Sequence, residues 1–325
     1  MISQQFYLPD LFSICRYKCT VNPHCERAGA ESAAWVIDQQ LFTDKKRLAF
    51  VLGNSELLAS RAYPHASYER LRTCLDFINL LFVVDEVSDA QSGKDALKTG
   101  WTVINAMKDP SNAESSKVAK TTREFRERLV ADARPNFLRR FMKSWEDYAN
   151  AFVKDAELSY THLRRENSGV CPCFHLLECA ADTDIPVEVF EDAVFQDIFL
   201  CALDMISWSN DLYSYIVEQS KCQDGNNVIT VLVQEKNLSL QEACDYVGEF
   251  FQKLYSRFQS GRQSLPSWGT AIDSAVAMFV DGLEIWVATN LEWSFLTERY
   301  FGPSFADVKK TWFVTLRHKV QQNCL

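Results

Sequence analysis

Residues 193–218 read AVFQDIFLCALDMISWSNDLYSYIVE, and the fold turns on how this stretch is read. Its first part, 193–208, is apolar enough to raise the question of a membrane span. It carries Asp197 and Asp204, however, and its polar residues return at helical spacing, which predicts a buried helix of a globular protein. The remainder, NDLYSYIVE at 210–218, sets an amide, a hydroxyl and a carboxylate four residues apart. On a helix, Asn210, Ser214 and Glu218 stay on one face, drifting about 40° per step and rising roughly 12 Å in all. Three oxygen donors in such a stripe make either a solvated polar patch or half of a site for a hard cation.

The same periodicity runs through the rest of the chain, and strand signals are almost absent. Helices are expected near 27–42, 67–91, 94–107, 117–133, 136–165, 186–219, 227–235, 239–263, 269–298 and 305–318. The 186–219 span reads as two helices or one kinked helix. Loop signals stand at KDPSNAESS (108–116), SGVCP (168–172), QDGNN (223–227) and QSLPSWG (263–269). None resembles an interdomain linker, and no repeat appears. The expectation is an all-α, single-domain helical bundle over 1–325.

At 325 residues and 47% hydrophobic, the chain can bury a large core. A net charge of −9 argues against nonspecific binding to nucleic acid or anionic membranes. An anionic ligand would need local basic residues or bound metal. The segment 1–12 lacks a signal peptide's basic start and long apolar core, so a cytoplasmic location is expected. The eleven cysteines read as reduced, small apolar side chains. Cys171, Cys173 and His175 in CPCFH lack a second ligand pair at zinc-site spacing and read as structural. The five histidines show no mutual pattern.

A second acidic stretch is FINLLFVVDEVSDA, 77–90. Asp85 and Asp89 are four apart, with Glu86 beside them, after a strongly apolar run. Alone, this reads as a helix ending in solvated acids. Taken with Asn210, Ser214 and Glu218, it reads differently: two oxygen-rich stripes facing each other across a bundle would hold Mg²⁺, which shares its coordination with phosphate oxygens. A neutral Asn and Ser keep such a site from repelling an anionic ligand.

In these two motifs the sequence resembles the class I terpene synthases of fungi and bacteria. NDLYSYIVE matches the family's N-D-x-x-S-x-x-x-E, and DEVSD stands for its Asp-rich motif. Arg299–Tyr300, preceded by Trp293, looks like the late Arg-Tyr pair that holds diphosphate. Arg164 falls where the family has its diphosphate-sensing Arg, and NPH at 22–24 resembles the start of the catalytic domain. Val217 stands where many bacterial members carry Lys, and Lys221 is the substitute candidate for that charge.

The resemblance implies Mg²⁺-dependent ionisation and cyclisation of a linear prenyl diphosphate, farnesyl diphosphate foremost, with release of diphosphate. Asp85, Asp89, Asn210, Ser214 and Glu218 would hold three Mg²⁺ ions. Arg164, Lys221, Arg299 and Tyr300 would grip the diphosphate, and Phe77, Phe82 and Trp293 would line an apolar cavity. Trp286, Trp293 and Tyr300, spaced by seven, are expected on one face of the last long helix. Two other readings stand: a chain-elongating prenyl diphosphate synthase, and an inert helical binding protein. Product skeleton and oligomeric state are left open by the sequence.

Overall fold

The computed structural model describes residues 4–41, 53–88, 91, 93–109, 111, 113–131, 133–151 and 160–317. They form two compact units: Cys19–Asp192 with Pro266–Leu283, and Met1–Lys18 with Ala193–Leu265 and Glu284–Leu325.

The first unit contains α1 (Cys25–Asp38), α2 (Ser55–Ala62), α3 (Tyr68–Ser88), α4 (Gly93–Lys108), α5 (Lys117–Ala131), α6 (Pro135–Ala151), α7 (Tyr160–Asn167), α8 (Val170–Ala181) and α9 (Val187–Glu191). Helix α3 packs against α1, α2, α4, α5 and α8. It is apolar almost all round, as a central helix must be. Its Phe77 sits among Phe125, Phe141 and Trp145, with ring centroids 5.5, 5.0 and 5.4 Å away. The residue just before it in the helix is a buried acid, Asp76, which is 0% exposed. It is tied to Arg72 Nε at 2.9 Å, Arg128 Nε at 2.8 Å and Ser32 Oγ at 2.6 Å. A buried carboxylate survives only with such compensation. Asn22 of the NPH segment is buried and structural: its amide donates to the carbonyls of Tyr63 and Ala66, both at 2.9 Å.

The second unit contains α10 (Ala193–Lys221), α11 (Val228–Glu235), α12 (Leu240–Gln263), α14 (Phe305–Thr311), and strands β1 (Gln5–Tyr7) and β2 (Phe313–Thr315). Helix α13 (Thr270–Ser294) begins in the first unit's residues and ends in the second's. Helices α10 and α12 form its main pair. Ser239 and Glu242 close a reciprocal cap at the start of α12, each bonding the other's backbone N–H, at 3.3 and 2.8 Å. The strands pair antiparallel, with Phe6 opposite Val314, both buried. Gln241 of α12 grips β1 through both bonds of Tyr7's backbone, at 2.8 and 3.1 Å.

The 186–219 span, expected as two helices or one kinked helix, is two helices, broken at Asp192, whose backbone is extended. Other expectations need correction. Helices α2 and α8 were not expected. In α8, Pro172 lies in the first turn, where a missing N–H costs nothing. The helix expected at 305–318 stops at Thr311; Trp312 has φ 57°, and β2 follows. The helix expected at 269–298 stops at Ser294, so Tyr300 does not share a helical face with Trp286 and Trp293. Among the described residues nine cysteines are free thiols, but Cys222, half-buried just past α10, is disulfide-bonded, against the expectation that all stay reduced.

Candidate active site

Helix α10 carries the stripe of Asn210, Ser214 and Glu218, as its spacing requires. Asn210 and Glu218 are half-buried and Ser214 is buried. The Asn210 side-chain amide donates to the Tyr300 hydroxyl at 2.7 Å. With its nitrogen toward Tyr300, the amide has Oδ1 as its acceptor end. The Ser214 hydroxyl lies 3.5 Å from the Asp211 carbonyl, the outer limit of a hydrogen bond, so it is held loosely. Glu218 Oε2 accepts from Asn227 Nδ2 at 3.0 Å.

Tyr300 follows α13 in a run of turns, and its position is set from two sides. Trp293 meets its ring edge-on at 5.9 Å and 89°. Arg317, just beyond β2, donates to its carbonyl at 2.9 Å, while Gln219 of α10 donates to the Arg317 carbonyl at 2.9 Å. The small β-sheet therefore serves the site. By pairing with β1, β2 delivers Arg317 to the Arg-Tyr segment. The Arg299 guanidinium lies 5.9 Å from the ring centres of both Trp293 and Tyr300, within cation–π range. Lys221 is exposed, the last residue of α10.

Two residues of this region escaped the sequence reading. Asp211, the second letter of the motif, is buried and turns away from the stripe; its Oδ2 accepts from the Val228 N–H at 2.8 Å. Asn227 is fully buried. It caps α11 by accepting from the Ile229 N–H at 2.9 Å, and donates to the Asp211 carbonyl at 2.8 Å as well as to Glu218. An Asn ahead of the apolar run 228–235 is a helix-start signal. Nothing in the sequence shows where its amide nitrogen goes. Burial holds the phenols of Tyr213 and Tyr215 above their ordinary range, so both are uncharged hydroxyls.

The other site candidates lie in the first unit. Asp85 is half-buried in the last turn of α3, and its carbonyl accepts from the Ser88 hydroxyl at 2.9 Å. Asp89 lies outside the described residues. Arg164 in α7 is half-buried and donates to Asn167 Oδ1 at 3.1 Å. Phe82 packs with Trp35, Leu41 and Val87 against Val36 and Val83. Phe77 belongs to the aromatic core described above, with a ring on each of three sides.

The donors on α10 are an amide oxygen, a hydroxyl and a carboxylate. This is a hard, all-oxygen set that fits Mg²⁺ and is foreign to soft, thiolate-seeking metals.

A protein-family model described as "Terpene synthase family 2, C-terminal metal binding" matches residues 76–257. A Coprinopsis cinerea protein named "Linoleate 10R-lipoxygenase COP4" is 44% identical, covering 97% of this chain and 94% of its own length. "Bifunctional terpene synthase Agr4" of Cyclocybe aegerita is 42% identical over 97% and 94%. "Sesquiterpene synthase 1" of Postia placenta is 37% identical over 95% and 94%. The first name denotes fatty-acid oxygenation and the other two terpene synthesis; the family model sides with the latter. Among solved structures, hedycaryol synthase in complex with HEPES aligns with a TM-score of 0.79 at 18% identity, covering 89% of this chain and 98% of that one. Matched by the family model over more than half its length and by relatives over nearly all of it, the chain belongs to the terpene synthase family and has its all-α fold.

Proposed function

We propose that the chain is a sesquiterpene synthase that ionises farnesyl diphosphate with Mg²⁺, cyclises the resulting allylic cation and releases diphosphate. The observation that carries this is the Asn210–Ser214–Glu218 stripe, with Tyr300 bonded to one end and Asn227 to the other. Relatives named for sesquiterpene synthesis at 37% identity support the C15 substrate. We further propose that the two units act as one catalytic domain. The family model supports this, since 76–257 runs through both units and both acidic motifs.

In this reading Asp85, with Asn210, Ser214 and Glu218, would hold the Mg²⁺ ions, three by the family resemblance; Asp89 would join them on the strength of the motif alone. When bound, Mg²⁺ supplies the positive charge that makes diphosphate a good leaving group. Arg164, Arg299 and Lys221 add cationic charge for the diphosphate, the guanidinium groups in a planar, forked form. Tyr300 offers a hydroxyl to the same group. The walls that face the hydrocarbon, Trp293 and Phe82 among them, exclude water, and aromatic faces stabilise cationic carbon by about 2 kcal/mol when desolvated. The cyclised cation is neutralised by loss of a proton to the released diphosphate or by capture of water, so the protein's own part is charge stabilisation and shape. Among the described residues no helix is long and apolar enough to cross a membrane.

The test is gas chromatography of volatiles from purified protein given C10, C15 and C20 prenyl diphosphates with Mg²⁺. A cyclic C15 hydrocarbon or alcohol from farnesyl diphosphate alone is expected. Asn210→Ala and Glu218→Ala should abolish it with helical content intact, and EDTA should abolish it in the wild type. A requirement for a second prenyl substrate would make the chain an elongating synthase. Oxygen uptake with linoleate is a further arm, because one relative is named for that reaction. Turnover there, with none on prenyl diphosphates, would refute the proposal.

A further inference from the structure

We infer that Asn227 is a positioning residue for the metal-binding carboxylate of Glu218, an inference that rests on the reading of Glu218 as a metal ligand. The sequence places Asn227 nine residues downstream, in a loop, outside the motif. In the fold its side chain makes three hydrogen bonds while fully buried. The carboxamide oxygen is committed to the cap of α11. The nitrogen has two donor hydrogens, and two acceptors take them: the Asp211 carbonyl at 2.8 Å and Glu218 Oε2 at 3.0 Å.

Each of those bonds constrains the others. The α11 cap fixes the plane of the carboxamide, and the Asp211 carbonyl, a backbone atom of α10, fixes its rotation. The remaining N–H then points at Glu218 without rotational freedom. Asp211 reinforces the device by accepting from Val228 N–H, so α11 is pinned to α10 at two successive backbone positions. Glu218 lies in the last turn of α10, three residues before the end, and the bond from Asn227 orients its carboxylate among the rotamers open to it. A neutral amide donor suits this role. It orients a carboxylate oxygen without adding the positive charge that would compete with a cation. Outer partners of metal ligands typically contribute 10- to 100-fold in metal affinity or activity.

Asn, Asp and Ser are about equally good helix caps. Asn227→Asp and Asn227→Ser therefore keep the α11 cap while removing the donor to Glu218. The experiment compares the full-length wild type, both variants and Glu218→Ala. Two quantities are read: the half-saturating Mg²⁺ for thermal stabilisation in the presence of inorganic diphosphate, and the melting temperature without metal. Both Asn227 variants are expected to raise half-saturating Mg²⁺ about 10- to 100-fold, and Glu218→Ala to abolish the stabilisation. Circular dichroism without metal should match the wild type. If Glu218→Ala loses the Mg²⁺ response while a folded Asn227 variant keeps the wild-type value, the positioning role is overturned and the metal reading survives. If Glu218→Ala keeps the response, the metal reading fails and this inference with it. Should Asn227→Asp fold poorly from the carboxylate placed beside Glu218, Asn227→Ser, which adds no charge, decides.

Discussion

Tyr300→Phe removes a single oxygen, and the structure separates what that oxygen does from what the ring does. The ring keeps its edge contact with Trp293 at 5.9 Å and its contact with Phe301 at 6.4 Å. The backbone keeps the bond from Arg317. What is lost is the acceptor for Asn210 Nδ2. Asn210 is half-buried, so water replaces part of the bond, and the cost to stability is about 1 kcal/mol rather than the larger penalty of a fully buried orphan. With an unfolding entropy of about 2.1 cal/mol/K per residue, that lowers Tm of this 325-residue chain by about 1.5 °C.

The functional effect should be larger than the stability effect. With the Tyr300 hydroxyl gone, the Asn210 carboxamide loses a bond that orients it, and its Oδ1 is held less firmly. Losing an orienting bond of about 1.4 kcal/mol corresponds to tenfold in affinity. Half-saturating Mg²⁺ for turnover should therefore rise about tenfold, the low end for partners of metal ligands. The assay is turnover of farnesyl diphosphate across a Mg²⁺ titration, with Tm measured alongside. A variant with wild-type Mg²⁺ dependence and unchanged Tm would refute the argument that Tyr300 orients Asn210. A fall in kcat with unchanged Mg²⁺ dependence would also refute it, and would leave the hydroxyl acting on the diphosphate alone.

Three predictions concern the folded frame. Arg140 meets the fully buried Glu178 at 2.6 Å, donates to the Ile185 carbonyl at 2.8 Å and stacks 4.0 Å over Phe190. Arg140→Met strands that carboxylate and should cost about 3–5 kcal/mol in urea unfolding, with part recovered when Glu178→Gln is added. Gly248→Ala gains about 1 kcal/mol of helix propensity in α12, but the new methyl would sit 2.7 Å from Pro9 Cβ. A proline ring cannot swing aside, so the overpacking cost of about 1–3 kcal/mol should win, and a higher Tm would contradict this. His175 is buried and its pKa is lowered to about 3 from 6.5, first by desolvation and then by Arg140. Above pH 6.5 both states are neutral and the group contributes nothing; below it the unfolded chain binds a proton that the folded one refuses. Stability should then fall by about 1.4 kcal/mol per pH unit down to about pH 3. Urea unfolding at pH 7 and pH 5 should show this loss in the wild type and a loss smaller by about 2 kcal/mol in His175→Gln.

What the sequence made legible was whatever depends on local period. Helix α10 was readable because Asp197 and Asp204 recur at helical spacing within an apolar run, and a stripe of three oxygens four apart follows from geometry alone. The strand pair was not readable. Phe6 meets Val314 across almost the whole chain, and a three-residue segment carries too little alternation to signal a strand by itself. Tyr300 was assigned to the correct neighbour, Trp293, for a wrong reason. A spacing of seven implied a shared helical face, whereas the helix ends at Ser294 and turns return the ring to Trp293. Phe77 and Phe82 show the limit for apolar residues: both precede the acidic motif, and only packing separates a core ring from a half-buried one.

The residues missed at the site, Asp211 and Asn227, define a different limit. Each has a signal: one sits inside the motif, the other stands before an apolar run as a helix cap should. A cap signal specifies only the acceptor end of the side chain. The donor end of Asn227 is spent on whatever oxygen the next element brings near, and that depends on how α11 folds back along α10. The QDGNN loop sets this, and its composition announces a turn without giving its direction. A motif read from sequence therefore names the atoms that touch a metal far better than the atoms that hold those atoms still. If Asn227→Asp and Asn227→Ser raise half-saturating Mg²⁺ as expected, the working motif of this chain extends from Asn210 to Asn227, nine residues past the last letter of NDLYSYIVE.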